Sequence, residues 1–355
     1  MLNRRSFIRK SGALAALTMG SYSGMKAGLK EGEDSEPKIT RSRILPANLK
    51  KGDLIGLVTP GSPVSKEQLD EIIVKLENLG YKTYYKESVL SEYGYFAGKD
   101  RERAEELMHM FTNPKVDAIW CVRGGYGSIR ILNLLDFDLI GQNPKVFIGY
   151  SDITALLTSI YEKTGLVTFH GPVGIEEFND FTVKSLENVL LDPGNHYKYP
   201  YQRVTGTEEN PEFDRYTVRK GKAQGELIGG NISVLDSMIG SNFEPDFENK
   251  IVYLEEIEEM TRRVDKMLFH LLEATNLRKA AGIVMGVFSD CNINDEPRLS
   301  LKVAIEDLLL PLNIPISYGL SFGHIDNIIT IPNGILAKMN ADRNTLKLME
   351  KAVQE

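Results

Sequence analysis

Along its first half the chain alternates short apolar runs with amphipathic stretches. Leu54 to Val58 is an apolar run that stops at the turn-rich Thr59-Pro60-Gly61-Ser62-Pro63, as a strand entering a loop does. Ser65 then precedes Leu69, Ile72, Ile73, Leu76 and Leu79 at helical spacing, and Gly80 closes the helix. Lys82 to Tyr85 predicts a second strand, and a helix opening at Asp100 carries Ala104, Leu107, Met108 and Phe111 on one face. Val116 to Val122 predicts a third strand running straight into Arg123-Gly124-Gly125-Tyr126-Gly127-Ser128, with a helix from about Ile129 to Leu135 beyond it. A fourth strand, begun at Lys145, ends at Gly149-Tyr150-Ser151-Asp152, and a helix starts at once; Val167 to His170 is a fifth, followed by a helix near Phe181 to Leu191. Such alternation calls for a parallel, flavodoxin- or Rossmann-like sheet covered on both faces, with ligands outside the carboxyl ends of its strands.

The composition changes at Asp192. Residues 192–219 are rich in Pro, Gly, Asn, Tyr and charge and read as a linker. Beyond it, strands are expected at Lys222 to Leu227, Lys250 to Leu254, Gly282 to Val287 and Ile328 to Ile331. Helices are expected at Ile232 to Ile239, Arg262 to Ala274 and Leu299 to Leu309. The expected organisation is thus an N-terminal α/β domain over 46–191 and a β-rich α/β domain over 220–355, with no internal repeat.

The remaining segment, 1–45, reads differently. Arg4-Arg5-Ser6-Phe7-Ile8-Arg9-Lys10 ahead of a weakly apolar stretch from Gly12 to Met19 resembles a twin-arginine export signal, and the acidic 31–36 a spacer. A mature start between Tyr22 and Ser35 and a periplasmic location follow; a basic arm on a cytoplasmic protein is the alternative. No later apolar run is long enough to span a bilayer, so no membrane anchor is expected. A formal net charge of -7 removes the footprint of a nucleic-acid binder. Two cysteines, Cys121 and Cys291, make no disulfide framework and read as buried thiols unless export lets them pair.

The chemistry concentrates at Ser151. A serine between a strand and a helix, with Gly149 before it, has half of the nucleophile-elbow pattern, since Ile153 stands where the second glycine would be. Capping the helix is the competing role. Gly124-Gly125-Tyr126-Gly127 lacks the lysine of a P-loop and the spacing of a dinucleotide fingerprint; it is either an oxyanion hole or a tight turn. A serine nucleophile needs a base and an orienting acid. Of five histidines, His109, His196 and His270 fall in helical or linker positions. His170 at a strand end and His324 in a glycine-rich loop both remain, with His324 preferred. Glu255 follows an apolar run directly and is the candidate acid, while Glu256, Glu258 and Glu259 read as a solvated turn. No zinc-ligand spacing is present, and no metal or cofactor is expected.

Arg123-Gly124-Gly125-Tyr126-Gly127, Gly149-Tyr150-Ser151-Asp152, His170-Gly171-Pro172, Gly229-Gly230-Asn231, Leu254-Glu255-Glu256 with Arg263-Val264-Asp265, Gly323-His324 and Ile331-Pro332-Asn333-Gly334 follow one another between about Lys51 and Met339. In that order they resemble the LD-carboxypeptidases, the serine peptidases that include murein tetrapeptide carboxypeptidases and microcin C self-immunity peptidases. The resemblance implies Ser151 as nucleophile, His324 as base and acid, Glu255 as its orienting carboxylate, and backbone N–H groups of Gly125 and Asp152 as oxyanion hole. It implies a parallel first domain carrying the serine and a β-rich second domain carrying the other two, a site in the cleft between them, and a homodimer. His170 becomes a residue lining the site; Arg123 and Gly124 are further candidates for binding substrate, as is Asn231. The implied substrate is a murein tetrapeptide, cleaved between an L-centre of lysine or meso-diaminopimelate and terminal D-alanine. A peptide-nucleotide conjugate or another acyl-amino-acid is the nearest alternative, and a non-catalytic exported wall-peptide-binding protein is the rival from another class. The sequence departs from the family pattern where Leu-Glu-Asp is replaced by Leu254-Glu255-Glu256.

Overall fold

The computed structural model describes residues 42–291 and 299–355. The expected export signal and its spacer lie outside the described residues. Of the two expected domains, the first is a six-stranded sheet. Leu54–Val58 lies between Lys82–Tyr84 and Ala118–Cys121, followed by Val146–Gly149 and Phe169–His170, all parallel. In chain order this is 2-1-3-4-5, the doubly wound arrangement whose switch point lies between the first and third strands. Its central strands are continuous apolar runs, buried at Ile55, Leu57, Ile119, Trp120, Phe147 and Ile148, because helices cover both faces. Helix Lys66–Asn78 shows how local chemistry fixes the elements: Ser65 and Gln68 form a reciprocal capping box, and Leu69, Ile72 and Leu76 turn inward.

The second sheet has eight strands. Lys222–Asn231, Ile251–Ile257, Gly282–Ser289 and Ile316–Tyr318 run parallel at its centre, and antiparallel strands flank them. Residues 192–219, read from composition as a linker, contribute two of the flanking strands. Tyr197–Lys198 pairs with Thr345–Leu348, and Tyr216–Arg219 pairs with Ile316–Tyr318. The prolines and glycines of the segment lie in the loops around these strands, and the charged residues within them are tolerated because these are edge strands, with one side free of ladder bonds.

A second departure matters more for the site. Ile331–Pro332, expected in the second domain, pairs antiparallel with Phe169–His170 and forms the edge of the first sheet. Helix Thr154–Thr164, which follows Ser151, makes the other joint. Thr154 Oγ1 accepts from the Asn231 amide at 3.0 Å, and Tyr161 Oη donates to Glu226 Oε2 at 2.9 Å. The second sheet is therefore docked on the helix that follows Ser151.

Candidate active site

Ser151 follows the Val146–Gly149 strand and opens a single 3-10 turn, Ser151–Ile153, that runs into helix Thr154–Thr164. Its φ is 62°, a left-handed conformation that a non-glycine residue adopts only when its surroundings hold it there. The side chain caps neither the turn nor the helix. A strained turn between a strand and a helix is also the setting of a nucleophile elbow.

The glycine loop lies against this turn. A Cβ on Gly124 would sit 2.9 Å from Ser151 Cβ and 3.2 Å from its Oγ, so only glycine allows the approach. Gly125 has φ 91°, and its amide has no hydrogen-bond partner among the described residues. The buried Asp152 carboxylate ties the loop down by accepting from the Gly127 and Ser128 amides at 3.2 and 2.8 Å. Burial pushes this carboxyl above its ordinary value, against the pull of those donors.

The other half comes from the second sheet. Glu255, on strand Ile251–Ile257, is fully buried, and its Oε2 lies 2.9 Å from His324 Nδ1. Ser289 Oγ donates to the His324 carbonyl at 2.9 Å and anchors the loop. A Cβ on the preceding Gly323, which has φ 114°, would sit 2.7 Å from the Val287 carbonyl. Burial opposes both charges, yet each partner outweighs it for the other: the imidazole is held above its usual value and the Glu255 carboxyl below its own. The Tyr150 ring, adjacent to Ser151, lies 4.7 Å from the imidazole, centroid to centroid. The two halves of the proposed triad therefore meet at one seam. Ser151 Oγ makes no hydrogen bond to His324 among the described residues.

Comparison with known proteins fits this geometry. The LD-carboxypeptidase N-terminal domain matches residues 55–171 and the LD-carboxypeptidase C-terminal domain residues 224–339. The probable murein peptide carboxypeptidase of Bacillus subtilis is 37% identical over 316 residues, covering 87% of this chain and 95% of its own. The chain belongs to the LD-carboxypeptidase family. Among solved structures, the microcin C7 self-immunity protein MccF superposes with a TM-score of 0.80 at 26% identity, covering 88% of this chain and 100% of that one. Muramoyltetrapeptide carboxypeptidase from Oxalobacter formigenes gives 0.71 at 27% identity, covering 83% and 97%.

In this LD-carboxypeptidase family member the other candidates divide. Arg123 opens the glycine loop, and its Nη1 donates to the Pro63 carbonyl at 3.1 Å. Asn231 is committed inside the protein: Oδ1 caps helix Ile232–Met238 and Nδ2 donates to Glu256 Oε1 at 2.9 Å. Glu256, expected on a solvated turn, is instead buried in the strand and held by Asn231 and Ser233. His170 is fully buried, and burial pushes it down to about 4, so it is neutral. Cys121 and Cys291 are free and buried.

Sequence reasoning singled out neither Tyr150 nor Glu176. Tyr150 Oη donates to the Glu176 carboxylate, which holds the ring against His324. Position next to Ser151 was the only signal for the tyrosine, and Glu176 carried none.

Proposed function

We propose that this protein is a serine carboxypeptidase that cleaves murein tetrapeptides between an L-centre, lysine or meso-diaminopimelate, and C-terminal D-alanine. The observation that carries the reading is the strained Ser151 turn at the seam that also holds the Glu255–His324 pair. Ser151 attacks the scissile carbonyl while His324 takes its proton, and Glu255 keeps Nδ1–H engaged so that Nε2 is the basic nitrogen. The Gly125 and Asp152 amides receive the oxyanion. His324 returns the proton to the leaving amine of D-alanine, and water repeats the cycle on the acyl-enzyme. Substrate brings Ser151 and His324 into hydrogen-bond reach, as catalytic contacts in ligand-free sites often tighten on binding. Arg123 receives the terminal carboxylate.

A second reading keeps the chemistry and replaces the substrate with a peptide-nucleotide conjugate. The likeness to MccF and the exposed Tyr95 and Tyr126, with ring centroids 5.7 Å apart beside the glycine loop, support it. Trp120 is not available for stacking, since it is buried with Nε1 donating to the Pro172 carbonyl at 2.8 Å.

The test is mass spectrometry of L-Lys and meso-diaminopimelate tetrapeptides, and of an aminoacyl-nucleotide conjugate, incubated with the purified protein and its Ser151→Ala variant. Release of D-alanine by wild type alone supports the reading. Release by both proteins removes the serine mechanism, and no release from any substrate favours a binding protein. Export through the Arg4-Arg5 segment and assembly as a homodimer belong to the same proposal. Cell fractionation of an Arg4→Lys, Arg5→Lys variant and sedimentation of the purified protein test them.

A further inference from the structure

The seam contains more buried polar atoms than it has hydrogen bonds to satisfy them. Glu255 is fully buried, and only Oε2 is bonded, to His324; Oε1 has no partner among the described residues. Both nitrogens of fully buried His170 also lack a partner there. Unpaired atoms of this kind are rare in folded proteins, and for a carboxylate oxygen the cost is high.

Most hydrogen-bonding side chains around Glu255 have partners of their own. Tyr150 donates to Glu176, Tyr253 to Asn333 Oδ1 at 2.8 Å, and Asn231 to Glu256 at 2.9 Å. His170 ends the strand next to Gly149 and sits in a box formed by Tyr150, Tyr253 and Phe322, with ring centroids 5.8, 5.3 and 6.0 Å away. Tyr150 also packs on His324, and Tyr253 is two residues before Glu255 on the same face of its strand. His170 and Glu255 are close enough for each to act on the other's ionisation.

We propose that His170 is a positioning residue for the triad carboxylate, supplying from its neutral imidazole the hydrogen bond, direct or through one enclosed water, that Glu255 Oε1 otherwise lacks. A neutral imidazole carries one N–H, so it donates without adding a second positive charge beside His324. With Oε1 held, Oε2 stays aimed at Nδ1 of His324. The competing donor is the second N–H of Asn231, opposite Glu255 in the strand register and, with His324, among the groups that hold its carboxyl down.

The inference rests on the Ser151–Glu255–His324 reading, and its test separates the two. Kinetics on a tetrapeptide are measured for wild type, Ser151→Ala, His170→Phe and His170→Gln across pH. The titratable groups facing Glu255 are His324, His170, Glu256, Tyr150, Tyr253 and, further off, Cys291. A carboxylate with one donor fewer leans harder on the imidazolium. His170→Phe should therefore lower kcat about 10- to 100-fold at nearly constant KM and move the acid limb of kcat/KM to higher pH. His170→Gln, which keeps a donor, should recover at least tenfold of that loss (order of magnitude). In 15N-histidine spectra of otherwise wild-type protein, the His170 N–H resonance should shift when Glu255 is replaced by glutamine, whether or not His170→Phe folds.

An inactive Ser151→Ala protein beside an undiminished His170→Phe protein overturns this inference alone. A His170→Gln protein as impaired as His170→Phe, with the acid limb unmoved, shows mere packing and also overturns it, as does an unshifted resonance. An active Ser151→Ala protein overturns the triad and this inference together.

Discussion

His324 Nδ1 and Glu255 Oε2 are 2.9 Å apart at the base of the seam, with the carboxylate fully buried and the imidazole partly exposed. The contact joins residues 69 positions apart in sequence, and it sets the ionisation of both.

Replacing Glu255 with glutamine removes the charge that holds the imidazole up. The His324 value falls, so the acid limb of kcat/KM should move to lower pH. Turnover should drop about 10³- to 10⁴-fold, as for other triads that lose their orienting acid. A pH-rate profile of the variant against wild type is the check.

The same pair links stability to pH in two directions. The raised His324 value adds stability that is fully present below the ordinary imidazole value and lost as pH rises through the folded one. The lowered Glu255 value adds stability present above the ordinary carboxylate value and lost as pH falls through the folded one. Together they contribute most between those two ordinary values. The Tm difference between wild type and His324→Gln, measured from acid to alkaline pH, should peak in that window.

Ser151→Gly relieves the left-handed backbone at φ 62° and should raise stability by about 1 kcal/mol while abolishing turnover. Ser151→Ala abolishes turnover without that gain. Urea unfolding of the two variants distinguishes them.

Gly125→Ala strains a residue at φ 91° and drives its methyl into Ser62, displacing a proposed oxyanion donor. The expected result is a fall in kcat of about 10²- to 10³-fold with a smaller change in KM. Steady-state kinetics decide it, and an unchanged kcat removes Gly125 from the oxyanion hole.

Arg123→Gln should raise KM about 10- to 100-fold for a peptide ending in a free carboxylate. The same peptide with a C-terminal amide should be insensitive to the change. Equal effects on both peptides remove Arg123 as the carboxylate ligand.

The pattern of apolar runs was enough to recover the parallel first sheet, since strands buried on both faces announce themselves as unbroken Val, Ile and Leu. It was not enough for residues 192–219, where edge strands share the composition of a linker, nor for Ile331–Pro332, whose partner lies in the other sheet. Glu256 was misread because a buried carboxylate and a solvated one look alike in sequence; Asn231 and Ser233 make the difference. His170 at a strand end and His324 in a glycine-rich loop were both open as the base, with position favouring His324. Only packing separates the one boxed by Tyr150, Tyr253 and Phe322 from the one paired with Glu255.

By itself the sequence determined what is local: the strand-turn-helix at Ser151, the glycines that let a loop approach it, and the family those motifs belong to. The tertiary structure decided which imidazole meets which carboxylate, and which buried atoms are left without a partner. Turn geometry depends on a few adjacent residues, whereas burial and ion pairing depend on groups that folding brings together from distant parts of the chain.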